Sequence, residues 1–373
     1  MSDQIIAQWR KDSTFERWLG RRADSSDFWK WVYVSYYRIQ DRAYYDKGCS
    51  MASECLCKFG RDSLPDDEKR RLVLDMIYSL HRFGFMYEEY FWYDLQHLNT
   101  AGRKEFIPDK VRYALYDEMN DEDSFKLFND KWRTYEALSE FFGREALLVD
   151  DASKLGNVEG FLRAHGRCVV KPLGGNCGRG VSICGPDMDA TVFESLLVGG
   201  RGFIVEEAIE QDQAMAAFHP SSVNTVRIPT LVSSGEVHIF GPFFRMGRGA
   251  SFIDNAGAGG VFANVEPSTG ICFTAGVDEV GQEYLRHPDT GKVIPGFQIP
   301  KWEEALALAR KLARLVEGAR YVGWDLALTP SGWVVVEGNS RGQFVMQIAD
   351  KRGRMRELLE LVYEGKAPSS YLR

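Results

Sequence analysis

The sequence predicts an α+β fold: a mainly helical, aromatic-rich N-terminal region over residues 1–124, a small lobe over 125–205 and a larger lobe over 206–373. Three observations carry this. Apolar residues recur at helical spacing in the first third and again between Trp302 and Val316. An apolar run, Cys168-Val169-Val170, ends in Lys171 and a glycine-dense loop before a second apolar run opens at Val181. Two further pairs of apolar runs fold back on short turns, Ser233-Ser234-Gly235 and Thr329-Pro330-Ser331-Gly332.

In chain order, Trp29, Trp31, Tyr33, Tyr36, Tyr37, Tyr44 and Tyr45 crowd one stretch and read as core, with a stacking or acyl-binding pocket as the alternative. Ser63-Leu64-Pro65-Asp66 opens a helix carrying Leu72, Val73, Met76, Ile77, Leu80 and Phe83 and closed by Gly84. Residues 85–98 read as helix too. Asn129 or Asp130 caps a helix with Trp132, Tyr135, Leu138, Phe141 and Phe142 on one side and Gly143 as its stop. Phe203-Ile204-Val205 is a strand running into Glu206 and Glu207. Trp302, Leu306, Ala309, Leu312, Ala313 and Val316 form the buried stripe of an amphipathic helix that ends near Gly318. The basic stretch 351–363 packs as a final helix.

Composition excludes several classes. A chain of 373 residues, 45% hydrophobic, suffices for two or three packed lobes. A formal charge of −7 argues against bulk nucleic-acid binding while allowing a local basic cleft. The longest apolar runs fall short of a membrane span, and Met1-Ser2-Asp3-Gln4 lacks the start of a signal peptide. The cysteines number seven, an odd count without paired zinc spacing, so a reduced cytoplasm is the expected location.

Lys171 opens the stretch that carries chemistry: Pro172-Leu173-Gly174-Gly175-Asn176-Cys177-Gly178-Arg179-Gly180. Glycines let backbone N–H groups turn toward an anion, and the lysine adds a full charge beside them. The spacing is not that of a Walker loop, because Val181 follows Gly180, nor of a kinase loop, where the lysine comes later. Ile183 stands where a dinucleotide fingerprint needs its third glycine. A plain surface hairpin is the structural alternative. Cys177 has no identifiable histidine partner and is not read as a nucleophile.

The second signal is Gly323-Trp324-Asp325 with Val336-Glu337-Gly338-Asn339. If Pro330-Ser331-Gly332 closes a three-residue loop, Thr329 lies opposite Trp333 and Asp325 opposite Glu337, with Asn339 on the same face. Two carboxylates on one face repel each other unless a cation lies between them, and these are oxygen ligands of the kind magnesium takes. A two-residue loop would shift the register by one and put the carboxylates on opposite faces. A phosphate cradle and a magnesium site together read as an enzyme that uses ATP. Arg227 and Arg245 are expected on a hairpin around Ser233-Ser234-Gly235, pointing to one side, where paired guanidiniums suit a phosphoryl or carboxylate group; salt bridging to nearby acids is the alternative.

Lys131, Lys171 with its glycine loop, Ile204-Val205-Glu206-Glu207-Ala208-Ile209, Asp325 and Glu337-Gly338-Asn339 together resemble the ATP-grasp superfamily. Ser222-Val223-Asn224-Thr225-Val226-Arg227, Arg245-Met246-Gly247, and Asp254-Asn255 with Gly259-Gly260 resemble its sugar-transfer-associated group. The resemblance implies the ATP-grasp fold, two α+β lobes gripping ATP. It makes Lys131 a first phosphate lysine, backbone groups of Glu207, Ala208 and Ile209 the adenine contacts, and Asp212 the ribose contact. Many ATP-grasp enzymes begin with an alternating strand–helix domain, and no such pattern is found here. The reaction implied is a carboxylate–amine ligation through an acyl phosphate on small-molecule or peptide substrates, with Arg227, Arg245 and Lys171 catalytic. A kinase of the same fold acting on a hydroxyl, and a catalytically silent nucleotide-binding partner, are the alternatives.

Overall fold

The computed structural model describes residues 12–174, 180–188, 190–198, 202–252, 254 and 259–364. It divides into two compact units, residues 1–119 with 343–373, and residues 120–342. Among the described residues no helix is long and apolar enough to cross a membrane.

The first unit is helical. Its leading helices are α1 (Thr14–Ala23), α2 (Asp27–Gln40), α3 (Arg42–Lys58) and α4 (Asp66–Phe83). A capping box starts α1, in which the Ser13 hydroxyl accepts from the Glu16 amide and the Glu16 carboxylate from the Ser13 amide. Helix α4 has no side-chain cap; Asp66, Asp67 and Glu68 supply first-turn negative charge instead, and Gly84 ends it at φ 91°. The expected helix over 85–98 is shorter, Tyr87–Trp92 followed by a 3₁₀ turn Leu95–His97. Of the crowded aromatics, Tyr33 is buried whereas Trp31 and Tyr44 are exposed, so the core reading holds for only part of the stretch.

Residues 343–364 belong to this unit as well. The buried Gln347 side chain accepts from the Ile107 amide at 2.9 Å and donates to the Ile107 carbonyl at 3.3 Å. The Met355 amide, opening the last helix (Met355–Val362), bonds the Glu105 carbonyl at 2.8 Å.

The second unit holds two antiparallel sheets. β1 (Ala146–Val149), β2 (Cys168–Pro172), β3 (Ser182–Cys184) and β4 (Phe203–Glu207) form the small one, in the order β1-β4-β2-β3. The larger sheet comprises β5 (Val226–Ser233), β6 (Glu236–Ile239), β7 (Phe243–Met246), β8 (Val261–Asn264), β9 (Gly276–Val277), β10 (Glu283–Tyr284), β11 (Tyr321–Thr329) and β12 (Gly332–Asn339). Its path is β10-β9-β8-β7-β5-β11-β12, with β6 also paired to β5. Trp324, Val322, Leu326, Ile228 and Phe244 lie buried in one core with Trp302, Leu306, Ala309 and Leu312 of the helix Trp302–Leu312. These four belong to the predicted stripe, but the helix ends at Leu312, so Ala313 caps it and Val316 and Gly318 lie beyond it.

Both hairpins depart from expectation by one residue. The β5–β6 turn is Ser234-Gly235 alone, with Ser233 opposite Glu236. Both central residues have positive φ, 51° and 81°, and such a primed turn matches the right-handed twist of its strands. Arg245 therefore lies not on the return strand β6 but on β7, which pairs with β5 at Val226 and Arg227. The β11–β12 turn is likewise two residues, with Thr329 opposite Gly332. Continued, that register would face Asp325 with Val336 and turn Glu337 away. A bulge intervenes: Leu326 pairs with Val335 and Asp325 with Glu337, leaving Val336 as the extra residue. The expected pairing of the carboxylates is observed, but a bulge produces it, not a longer loop.

The first unit buries a titratable group whose effect can be measured. Glu89 accepts from the Met86 amide at 2.7 Å and the Asp109 amide at 3.1 Å. Burial first, and then the neighbouring Asp109 carboxylate, push its carboxyl up to about 8. The folded chain thus keeps a proton that the unfolded chain loses at ordinary carboxylate pKa, so raising the pH from about 5 to about 8 weakens folding. Urea denaturation of wild type and Glu89→Gln should show wild type losing stability over that window relative to the variant. Parallel curves would contradict this assignment.

Candidate active site

The second unit encloses a cleft of about 1370 Å³, open mouth included. Lys131, Lys171, Glu206, Glu207, Ile209, Arg245, Asp325, Glu337 and Asn339 line it, as expected, together with Arg144, Thr225, Phe252 and Asp254. Gly174, Gly180, Ala208, Asp212 and Arg227 are not among its lining residues. Gly175, Asn176, Cys177, Gly178 and Asn255 lie outside the described residues.

Lys131 is the first residue of the helix Lys131–Leu138, whose cap is Asp130, its carboxylate accepting from the Trp132 and Arg133 amides. Desolvation lowers the Lys131 pKa; nearby Lys171 adds to this and Glu337 opposes it. Lys171, on β2, donates to Glu206 Oε2 at 2.8 Å. At the end of the glycine loop Gly180 takes φ 75°, and a Cβ there would lie 2.9 Å from the Pro172 ring. On the expected adenine strand, the Glu207 amide already bonds the Glu145 carbonyl and the Ala208 amide the Arg167 carbonyl, both at 3.0 Å. Asp212 caps the short helix Gln213–Ala216, accepting from the Ala214 amide at 2.9 Å.

The far wall is built on Asp325. Arg227 grips it in bidentate fashion, Nε and Nη2 each 2.5 Å from a carboxylate oxygen, and Arg245 Nη1 adds a third contact at 2.6 Å. Burial alone would raise the Asp325 pKa; the two guanidiniums overcome it and hold the carboxyl well below the usual range. Arg245 Nη2 also lies 3.0 Å from Asp254, which in turn accepts from the Thr225 amide at 2.9 Å and from the Thr225 hydroxyl. The salt-bridge alternative for both arginines is therefore what the geometry shows. Asn224 organises the preceding turn: its Nδ2 donates to Gln211 Oε1 and to the Met215 and His219 carbonyls, and its Oδ1 accepts from the Gly247 amide.

Glu337 differs from Asp325. It keeps 46% of its side-chain surface open, and Arg227 Nη2 approaches only to 3.6 Å. Desolvation at the cleft floor, and then the neighbouring Asp325 charge, raise its pKa. Asn339 Nδ2 donates to Glu337 Oε1 at 3.1 Å, which leaves Asn339 Oδ1 as the oxygen it offers. Magnesium takes one or two protein carboxylates together with phosphate oxygens. Glu337 and Asn339 fit that requirement, and a cation beside them would relieve the repulsion that raises Glu337. Asp325 already uses three of its roughly four acceptor positions on arginines. Among the described residues no three His, Cys, Asp or Glu side chains gather around one point, so a metal here would complete its shell with phosphate and water.

Sequence reasoning missed Arg144. It follows Gly143 at the end of a helix, where a single arginine carries no pattern. Its guanidinium is buried, bonds Glu206 through Nε at 2.8 Å and Nη2 at 2.6 Å, and lies over the Phe142 ring. It also donates to the Val335 carbonyl at 2.7 Å and the Val336 carbonyl at 3.4 Å. Those are the carbonyls of the β12 bulge, so Arg144 joins the small sheet's Glu206 to the kink that aims Glu337. Burial would raise the Glu206 pKa, but Arg144 and Lys171 lower it to about 2. Arg144→Met would leave Glu206 with Lys171 alone and free the bulge, costing on the order of 3 kcal/mol of stability. The variant, compared with wild type by denaturation and by magnesium titration of nucleotide binding, should show both a lower midpoint and a weaker magnesium response. An unchanged magnesium response would remove Arg144 from the site.

A family model described as sugar-transfer associated ATP-grasp matches residues 110–362. No curated protein matches the chain. Among solved structures it is similar to an N5-carboxyaminoimidazole ribonucleotide synthetase in complex with ADP, at 14% identity over 65% of this chain and 53% of that one, TM-score 0.42. It is also similar to D-alanyl-alanine synthetase A of Vibrio cholerae O1 biovar eltor, at 12% identity over 68% and 65%, TM-score 0.42. A third is N5-carboxyaminoimidazole synthetase of Staphylococcus aureus complexed with ADP, at 11% identity over 69% and 58%, TM-score 0.44. The chain thus matches between about half and two thirds of the length of these structures. With the family model spanning most of its length, the chain belongs to the sugar-transfer associated ATP-grasp family.

Proposed function

We propose that the chain is an ATP-dependent ligase that joins a small-molecule or peptide carboxylate to an amine and releases ADP and phosphate. The observation that carries this reading is the presence, in one cleft, of Lys131 and Lys171 together with Glu337 and Asn339. Two cations and a pair of oxygen ligands are what a magnesium–triphosphate needs, and Asp325 is too tightly bound by arginines to serve as a nucleophile.

Lys131 and Lys171 hold phosphate oxygens in line for transfer. Glu337 and Asn339 would hold magnesium, which would supply charge neutralisation at the phosphates. A carboxylate oxygen of the substrate attacks the γ-phosphorus, the bond to the β–γ bridging oxygen breaks, and ADP leaves. Arg245 and Arg227 both act at one remove, by fixing Asp325 in the wall of the cleft. The amine then attacks the acyl carbon, phosphate departs, and the amine proton passes to solvent. No protein nucleophile takes part, in keeping with reading Cys177 as a loop residue.

An acyl phosphate reacts with any good amine that enters the site. Incubation with Mg·ATP, hydroxylamine and a pool of carboxylic acids should yield one hydroxamate and ADP, identified by mass spectrometry. Lys171→Ala should slow hydroxamate formation by a factor equivalent to about 2–4 kcal/mol, and Glu337→Gln should abolish it. A stable phosphate ester on a hydroxyl, with no hydroxamate from any acid, would establish a kinase and contradict the ligase reading.

A further inference from the structure

Helix α2 of the first unit is apolar on two opposite faces. One is buried against α4: Tyr33 meets Tyr78 edge to face, and its hydroxyl donates to the His81 carbonyl at 3.2 Å. The other carries Phe28, Trp31 and Ile39, which are 64%, 57% and 84% exposed. Their spacing keeps them in one row along the helix. Helix α1 adds Phe15 and Trp18, 52% and 40% exposed.

The rings make one band across both helices. Phe15 stacks on Trp18 with centroids 5.8 Å apart, Trp18 meets Trp29 at 5.8 Å, Trp29 meets Phe28 at 5.7 Å, and Phe28 lies 6.4 Å from Trp31. A contiguous exposed aromatic patch marks an interaction surface.

The surrounding charge selects the cover. Arg17, Arg21, Arg22 and Arg38 are exposed on these two helices, against one exposed carboxylate, Asp27, which pairs with Lys30 at 3.4 Å. Of the acids nearby, Glu16 serves the α1 cap, Asp24 is bound by Arg82, and the exposed Asp41, just past α2, caps α3. In a chain of formal charge −7, the exposed side chains of these two helices carry an excess of arginine over carboxylate. A symmetric second copy would set arginines against arginines, whereas an anionic surface complements them.

We propose that the α1–α2 surface docks on an anionic lipid bilayer. The aromatic band lies at the boundary between headgroups and acyl chains, and the arginines lie on lipid phosphates. This inference is independent of the reaction assigned to the cleft, and its test involves no turnover.

The test is flotation of the full chain with phosphatidylcholine vesicles containing about one quarter phosphatidylglycerol, against phosphatidylcholine alone. Wild type should float with the anionic vesicles, far less with the neutral ones, and be released by about 1 M salt. The double variant Phe28→Ser, Trp31→Ser should bind about tenfold less or weaker still. Arg21→Ser and Arg38→Ser should each cost about fivefold; these exposed positions keep the test decisive if the aromatic variant misfolds. Equal flotation with both vesicle types, absence of flotation by wild type, or undiminished binding by the arginine variants would overturn the proposal. So would a concentration-dependent dimer of wild type that fails to float and is abolished by the aromatic substitutions, which would assign the surface to a second copy.

Discussion

Asp325 is bound from β5 by Arg227 and from β7 by Arg245, so one buried carboxylate fastens three strands of the large sheet on their cleft-facing side. Removing one partner of such a cluster strands a charge in low dielectric, at a cost on the order of 3–5 kcal/mol. The consequence for chemistry follows from acceptor counting. Asp325 gives three of its roughly four acceptor positions to guanidiniums, whereas Glu337 directly across the ladder is open to the cleft and has a raised pKa. The two carboxylates thus differ: Asp325 is tied into the wall by arginines, and Glu337 keeps much of its side chain open.

That division depends on a kink of one residue. Without Val336 as the extra residue in β12, the tight Pro330-Ser331 turn would face Asp325 with Val336 and send Glu337 to the other side of the sheet. Arg144 holds the kink by its carbonyls and shares Glu206 with Lys171. A lysine expected on phosphate and a carboxylate expected on magnesium are therefore linked through one buried arginine. This gives the two sheets of the second unit a common reference without a continuous backbone connection at that point.

The sequence made parts of this legible for identifiable reasons. Alternation and turn residues located β5, β6, β11 and β12, and the lysine before the glycine loop marked the end of β2. The length of the Thr329–Gly332 turn was misread because Pro330 cannot take the positive φ of the primed two-residue turns and so favours a three-residue loop, yet Thr329 pairs directly with Gly332. The bulge leaves no local trace, since Val336 is as good a strand residue as its neighbours. Arg144 was invisible for a different reason: its partners are the carboxylate of Glu206 and two carbonyls nearly two hundred residues away in sequence. The aromatic stretch misled because large aromatic side chains are mostly buried, yet Trp31 and Tyr44 face outward.

The central claim is that Lys131, Lys171, Glu337 and Asn339 form one site for a magnesium-bound nucleotide. Isothermal titration of the wild-type chain with a non-hydrolysable ATP analogue, in magnesium and again in excess chelator, tests it most directly. The account predicts one nucleotide per chain, bound at least about tenfold more tightly with magnesium than without it. Equal affinity in both buffers, or no saturable binding in magnesium, would contradict it.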